Sequence, residues 1–578
     1  MQALNRVLRN LQTYWLIVSG AVISLLLLTV TNAITPQLFR LAIDRGITEK
    51  NLQVVLYSAG AMLLVAVGRG LFNFGQSFWA EKASQGVAYD LRNKIFDKIE
   101  NLSFSYHDRA QTSQLLTRIT SDVEQIRLFL GTSLVQVVSS IVTLLATSFI
   151  LILMNWRLAL ISLALVPLAG LILGNFLIKN QKVFGLAQER LGDLNGVLQE
   201  NISGVRIVKA FVRESLEMFR YEVINRDLIQ VNMRTILAIR NTFPLLFFLS
   251  NLITIAVVGY AGMEVINKRS TIGELVAFNT YLLFILQPIL LIGFAAPVIA
   301  QAAASAERIY EVIDTPIEIK DHQNAIPLKG CIGRISFENV HFRYPGSETF
   351  AIEGISFETK PNELIALLGM TGSGKSTIVN LIPRFYEVTE GAVRIDGCDV
   401  RDLQLSSLRS QIGIVLQETR LFSGSIRENI SYGLPNATLD QVIIAAKSAQ
   451  IHDFINDLPK GYDTVVAERG VGLSGGQRQR IAIARTLLTD YKLLILDDST
   501  SAVDAQTARQ IQAALDDLMH LKKCTALVIA QRISTVRYAD RIILMDKGHL
   551  IAQGTHEELM INSPLYGSIL ESQMQRGE

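Results

Sequence analysis

Charge of one sign, cysteine and ionisable residues in general are all scarce in this chain. Its 54 Lys and Arg nearly balance its 52 Asp and Glu, leaving a formal net charge of +2, so no bulk electrostatic attraction to nucleic acid follows. The three cysteines, Cys331, Cys398 and Cys524, have spacings that give neither a zinc pattern nor a disulfide framework. They read as thiols in a reducing cytosol with no role of their own. Charged residues make up 18% of the chain and hydrophobic ones 49%, a balance that points towards the bilayer. What apolar content there is lies unevenly. Long uncharged runs fill the first half, and the second half reads as an ordinary soluble α/β sequence. At 578 residues the chain is long enough for two or three domains.

A membrane-spanning helix needs about 20 mainly apolar residues. Six stretches meet that length: Tyr14–Ile34, Leu52–Phe74, Gly131–Met154, Leu158–Ile178, Phe243–Ile266 and Leu275–Ala295. The first is too long for a signal peptide, and no convincing small-residue cleavage site follows it. The segment between spans two and three carries Lys82, Arg92, Lys94, Lys98 and Arg109; the segment between spans four and five carries Lys179, Lys182, Arg190, Arg206 and Arg213, among others. Basic residues mark cytoplasmic loops, so both segments, both termini and the soluble half are expected inside. Gln85–Asn101 and Leu186–Glu200 repeat apolar residues at helical spacing, which predicts long cytoplasmic continuations of the membrane helices. Gln114–Asp122 and Asn201–Phe211 are the expected short contact helices within these segments. Arg69, Asn73 and Gln76 share one face of span two at i, i+4 and i+7. They are candidates for a translocation path, as are Asn251, Asn279, Tyr281 and Gln287; helix–helix hydrogen bonding or snorkelling is the alternative.

Between Glu307 and Gly330 the apolar runs stop, and a charged, proline-containing stretch marks a boundary. The domains are then 1–310 in the membrane, a linker 311–332, and 333–578. In the last of these, Gly369-Met370-Thr371-Gly372-Ser373-Gly374-Lys375-Ser376-Thr377 satisfies the phosphate-loop pattern. An apolar strand, Leu364–Leu368, precedes it and a helix starting near Ser376 follows, as the pattern requires. The glycines let backbone N–H groups wrap phosphates, Lys375 supplies a point charge, and Ser376 offers a hydroxyl to Mg²⁺. Leu493–Leu496 reads as a second buried strand ending in Asp497, a carboxylate placed to face that Mg²⁺. Ser474-Gly475-Gly476-Gln477 opens a further helix. Ser474 and Gln477 have capping-box spacing, and the bare glycine backbone could equally accept a phosphate.

Phosphate loop, Leu473-Ser474-Gly475-Gly476-Gln477 and Leu493–Asp498, in that order behind a membrane-spanning half, resemble the ATP-binding cassette exporters along essentially the whole chain. The resemblance implies that Tyr344 stacks on adenine, and that Gln417 is the Q-loop residue that senses Mg²⁺ and contacts the membrane half. It also implies that Ser474–Gln477 faces the γ-phosphate of ATP held by another subunit, with Ser501–Asp504 along that interface. One cassette and six spans therefore call for a partner half-transporter.

Two positions depart from the family's pattern. Active members carry glutamate after the second strand, where this chain has Asp498, and a histidine where it has Gln531. The shorter carboxylate is withdrawn by on the order of 1 Å, a misplacement that can cost about 10²-fold in rate. Glutamine hydrogen-bonds but carries no imidazolium charge. With every binding motif intact, the pair reads as a site specialised away from turnover in one half of a heterodimeric exporter.

The expected fold is therefore an α-helical six-span transmembrane domain with long cytoplasmic helix extensions, followed by an α/β P-loop ATP-binding cassette domain. The expected function is ATP-dependent export of a hydrophobic or amphipathic substrate across the inner membrane, with ATP and Mg²⁺ as cofactors. The catalytic positions are Asp498 and Gln531, both degenerate. The metal ligands are Ser376, Gln417 and Asp497. A homodimer with two slow sites and an ATP-gated channel or regulator remain as alternatives. A soluble cassette ATPase of DNA maintenance shares the motifs but not the six spans.

Overall fold

The structure, a computed structural model, describes residues 2–417, 419–467, 470, 472–497, 523–530, 537 and 539–575. It divides into two units, Met1–Glu100 with Thr112–Thr315, and Asn101–Gln111 with Pro316–Glu578.

In the first unit, six helical stretches are long and apolar enough to cross a membrane: Gln2–Ile47, Leu52–Asn101, Thr112–Met154, Trp156–Ser203, Glu214–Ile266 and Ile272–Asp314. Each contains one of the six apolar runs, and each of the second, fourth and fifth is at least 48 residues long. At about 1.5 Å per residue such a helix exceeds the roughly 30 Å hydrocarbon core by more than a factor of two, so the charged continuations are helical too. The sixth helix lies deepest in the bundle, with Phe278, Tyr281 and Ile285 fully buried against Leu158, Leu165 and Leu246. Polar ties fix its two ends. Asp44 accepts from Thr271 Oγ1 (2.6 Å) and from Gly273 N (2.9 Å) at one. At the other, buried Asp122 accepts from Ser305 Oγ (2.8 Å) and Arg308 Nε (2.9 Å).

The candidate Gln114–Asp122 is helical but is not a separate short helix. Thr112–Thr117 and Arg118–Asp122 run on into the third membrane helix. The separate short helix is Phe104–Arg109, bounded by extended Ser103 and Ala110, and it belongs to the second unit. There the Phe104 ring stacks on Phe385 at 4.3 Å, and Tyr386 donates its hydroxyl proton to Asp108. Glu318 accepts from Ser103 Oγ (2.9 Å) and from Ser105 Oγ. Those hydroxyls, the Ser105 bond first, hold the Glu318 carboxyl below the ordinary glutamate value. Its contribution to seating the helix is therefore complete at neutral pH and is lost as the pH falls through that lowered value. A second short helix, Val205–Ala210, lies inside the predicted Asn201–Phe211.

The second unit holds twelve strands among its described residues, β1 Ile335–Phe342, β2 Ile352–Glu358, β3 Leu364–Gly369, β4 Glu390–Ile395, β5 Cys398–Asp399, β6 Ile412–Val415, β7 Gly424–Ser425, β8 Val465–Val466, β9 Leu493–Asp497, β10 Thr525–Ala530, β11 Arg541–Asp546 and β12 His549–Gly554. An antiparallel sheet runs β2-β1-β4-β5, and a six-stranded sheet runs β12-β11-β3-β10-β9-β6. The neighbours from β11 to β6 are all parallel. Such strands are buried on both faces, which is why Leu364–Leu368 and Leu493–Leu496 are continuous apolar runs rather than alternating ones. The three cysteines are free. Burial, and then the nearby Asp396 charge, push the Cys331 thiol up to about 12, so it stays protonated and unreactive at neutral pH.

Candidate nucleotide-binding site

The register of the parallel sheet assembles the site. Leu368 pairs with Ala530, Ile529 with Asp497, and Leu496 with Val415. The carboxyl ends of β3, β10, β9 and β6 therefore share one edge. Ligands of open α/β sheets bind beyond that edge. From it come the phosphate loop, Asp497 and, two residues past β6, Gln417.

A cavity of about 550 Å³ opens there, lined by Tyr344, Thr371, Gly372, Gly374, Lys375, Ser376, Thr377, Gln417 and Asp497 among others. Lys375 is buried and folds back over its own loop. Its ammonium donates to Gly369 O (2.8 Å), Met370 O (2.8 Å) and Ser373 Oγ (3.2 Å), so the charge is positioned before any ligand arrives. Two glycines are sterically required. At Gly374, φ is +97° and a Cβ would lie 2.7 Å from Ile352 Cγ2. At Gly369 a Cβ would run into the Met545 carbonyl, because β11 lies directly beside β3. The Tyr344 hydroxyl shares a hydrogen bond with Thr377 Oγ1 (3.1 Å), and its ring meets Tyr386 edge-on. That leaves an aromatic surface at the cavity wall.

Ser376, Gln417 and Asp497 bring a hydroxyl, an amide oxygen and a carboxylate to this one cavity. These are hard oxygen donors, the set that suits Mg²⁺ when phosphate oxygens complete the shell. Among the described residues no group of three or more His, Cys, Asp or Glu side chains converges on a metal position. Phe350, Ala351, Ile529, Lys547 and Gly548 also line the cavity and carry no motif. The Asp546-Lys547-Gly548 turn between β11 and β12 is the one signal that would have pointed to two of them.

Ser474–Gln477 does not line this cavity. The helix Gly475–Leu488 begins with the full capping box: Ser474 Oγ accepts from Gln477 N (3.2 Å) and Gln477 Oε1 accepts from Ser474 N (2.7 Å). Asp498, Gln531 and Ser501–Asp504 lie outside the described residues.

In the membrane unit, Arg69, Asn73, Gln76 and Gln287 converge on a second cavity, of about 540 Å³. Tyr281 is not part of its lining. It is fully buried and donates to Ala33 O (2.6 Å), a helix–helix tie. Asn251 and Asn279 are exposed and also lie outside the lining.

A helical membrane unit joined to a P-loop cassette defines an ABC half-transporter of the exporter type. Residues 17–289 match the ABC transporter transmembrane region and residues 352–501 the ABC transporter family model. The chain is 37% identical over 519 residues to an ATP-dependent lipid A-core flippase of Syntrophus aciditrophicus, covering 90% of this chain and 86% of that one. It is 38% identical over 520 residues to the putative multidrug export ATP-binding/permease protein YgaD of Bacillus subtilis, covering 90% and 89%. A bacterial Atm1-family ABC exporter solved with ATP bound superposes with a TM-score of 0.84 at 29% identity, over 96% of this chain and 98% of that one. The chain belongs to the ABC transporter family and has the fold of its exporters.

Proposed function

We propose that this chain is one half of a heterodimeric inner-membrane exporter, in which its own phosphate loop binds ATP without turning it over efficiently. The observation that carries ATP binding is the shared carboxyl edge of β3, β9, β10 and β6, which gathers Lys375, Ser376, Gln417 and Asp497 around one cavity; slow turnover and a different partner rest on the sequence at Asp498 and Gln531. β9 ends one residue before Asp498 and β10 one residue before Gln531, the two positions where this sequence departs from an active cassette.

In this reading the adenine lies against Tyr344 and the phosphates against the loop Gly369–Thr377. Lys375 moves from its own carbonyls to the β- and γ-phosphates. Ser376, Gln417 and Asp497 hold Mg²⁺, which when bound neutralises phosphate charge. Ser474–Gln477 serves the ATP of the partner subunit, the N–H groups of Gly475 and Gly476 meeting the γ-phosphate at the start of a 14-residue helix. The soluble unit and both termini face the cytoplasm, and Phe104–Arg109 and Val205–Ala210 carry cassette motion to the spans. The flippase and multidrug relatives support a hydrophobic or amphipathic substrate.

Nucleotide trapping tests this. After photolabelling the membrane-extracted complex with radiolabelled 8-azido-ATP and Mg²⁺, the nucleotide crosslinked to this chain should remain largely triphosphate while that on the partner becomes diphosphate. Diphosphate appearing on both chains at the same rate would contradict the assignment.

A further inference from the structure

The nucleotide cavity has a second lysine in its lining, and no motif announces it. β11 and β12 pair as far as Asp546 and His549, so Lys547 and Gly548 form the turn of a two-residue hairpin. Both have positive φ, +44° and +84°, the conformation in which Asn-Gly or Asp-Gly is the favoured pair. A lysine in the left-handed region gives up backbone stability, and strain of this kind gathers at functional sites. The turn is held against the phosphate loop: Gly548 N donates to Ser373 O (3.2 Å), and Gly548 O accepts from Glu353 N (2.9 Å). Lys547 itself is exposed and lines the cavity.

Its place along the cavity follows from its neighbours. In the sheet, β11 lies on one side of β3, while β9 and β6, which lead to Asp497 and Gln417, lie on the other. Lys547 therefore approaches the phosphate loop from the side opposite the Mg²⁺ donors. A Cβ on Gly548 would lie 3.0 Å from Ala351 O, and one on Gly374 would lie 2.9 Å from the same oxygen, so the turn sits beside Phe350 and Ala351. Ala351 N donates to Phe342 O (2.8 Å). That bond closes the intervening loop and brings Phe350 to the end of the cavity where Tyr344 stands. The Phe350 ring is fixed there by His341, edge-on at 5.7 Å, and by the Arg343 guanidinium at 5.8 Å. Lys547 thus belongs to the nucleoside end. With Lys375 on the β- and γ-phosphates, the phosphate next to the nucleoside is the one that no motif lysine serves.

We propose that Lys547 is a further nucleotide-binding residue of this chain, its ammonium giving a second positive charge to the α-phosphate of the bound nucleotide. The proposal rests on the reading of this cavity as an ATP site. A lysine suits the task because it carries a compact charge on a flexible stem. The α-phosphate is common to ATP and ADP, so the contact is indifferent to the γ-phosphate. It holds both nucleotides alike and separates them from the bare nucleoside.

Photolabelling of the membrane-extracted complex with radiolabelled 8-azido-ATP, taken to saturation on ice, reads affinity on each chain separately. ADP and adenosine are the competitors. Lys547→Asn is the informative variant, because asparagine is the residue the turn prefers. It should keep or raise the thermal stability of the complex, which a merely structural lysine also allows. It should nevertheless raise the half-saturating concentration on this chain by about 3- to 10-fold, between the scale of an exposed ion pair and that of a hydrogen bond to a charged group. The inhibition constant of ADP should rise by the same factor, that of adenosine should not, and labelling of the partner chain should stay unchanged. Lys547→Arg should retain most of the affinity, and Lys547→Gln gives the same comparison if the asparagine variant fails to assemble. Unchanged half-saturation, a rise for adenosine equal to that for ADP, or a loss as large in Lys547→Arg would overturn the proposal and leave Lys547 a turn residue. If this chain takes no saturable label before any substitution, the reading of the cavity as an ATP site falls, and the proposal with it.

Discussion

In a complex whose partner has lost its own catalytic glutamate, Asp498→Glu combined with Gln531→His should raise ATP hydrolysis well above background, while either substitution alone does little. Only this chain's phosphate loop can contribute turnover in that background. A positioned general base is typically worth about 10²–10⁴-fold, and groups acting as one catalytic unit are strongly non-additive. The gain from the double substitution should therefore exceed the product of the single gains. The remaining apparatus is in place to receive it. Lys375 is held by three acceptors at the loop, and Asp497 ends β9 at the same edge. With the partner's signature segment intact, an unchanged rate in the double variant would refute the role given to Asp498 and Gln531.

The two ends of the cassette should fail differently. Lys375→Ala removes the charge at this chain's own loop and leaves the Gly369 and Met370 carbonyls without their donor. Nucleotide should dissociate from this chain while turnover continues at the partner's site. Ser474→Arg breaks the capping box, at about 1 kcal/mol of helix stability, and puts a long side chain where the partner's γ-phosphate should approach. It should abolish most turnover although it lies outside this chain's own cavity. ATPase rate and photolabelling of each chain, measured in parallel, separate the two. Equal loss of rate from both, with nucleotide occupancy unchanged, would remove the cross-subunit role of Ser474–Gln477.

What was legible in the sequence follows from how locally each signal is encoded. Gly369–Thr377 and Asp497 were readable because each follows an apolar run that only a buried parallel strand explains, and the sheet then brings the two ends together. The capping box at Ser474 was readable because its partners are three residues apart. The six spans needed nothing but length. Less was legible where the deciding partner is distant. Phe104–Arg109 has no stronger helical pattern than Gln114–Asp122; its separation from the third helix rests on extended Ser103 and Ala110 and on Phe385 and Tyr386, nearly 300 residues away. Tyr281 and Gln287 lie six residues apart on one helix, yet one bonds a neighbouring helix backbone and the other faces the cavity. Spacing alone does not give the rotation of a helix within its bundle. Phe350 and Lys547 reach the nucleotide cavity from segments that carry no motif at all.

Native mass spectrometry of the complex extracted from its own membrane, with sequencing of whatever accompanies this chain, tests the central claim most directly. The account predicts one copy of this chain bound to one different half-transporter, which carries glutamate and histidine at the positions matching Asp498 and Gln531. A stable dimer of identical chains that hydrolyses ATP at full rate would contradict it.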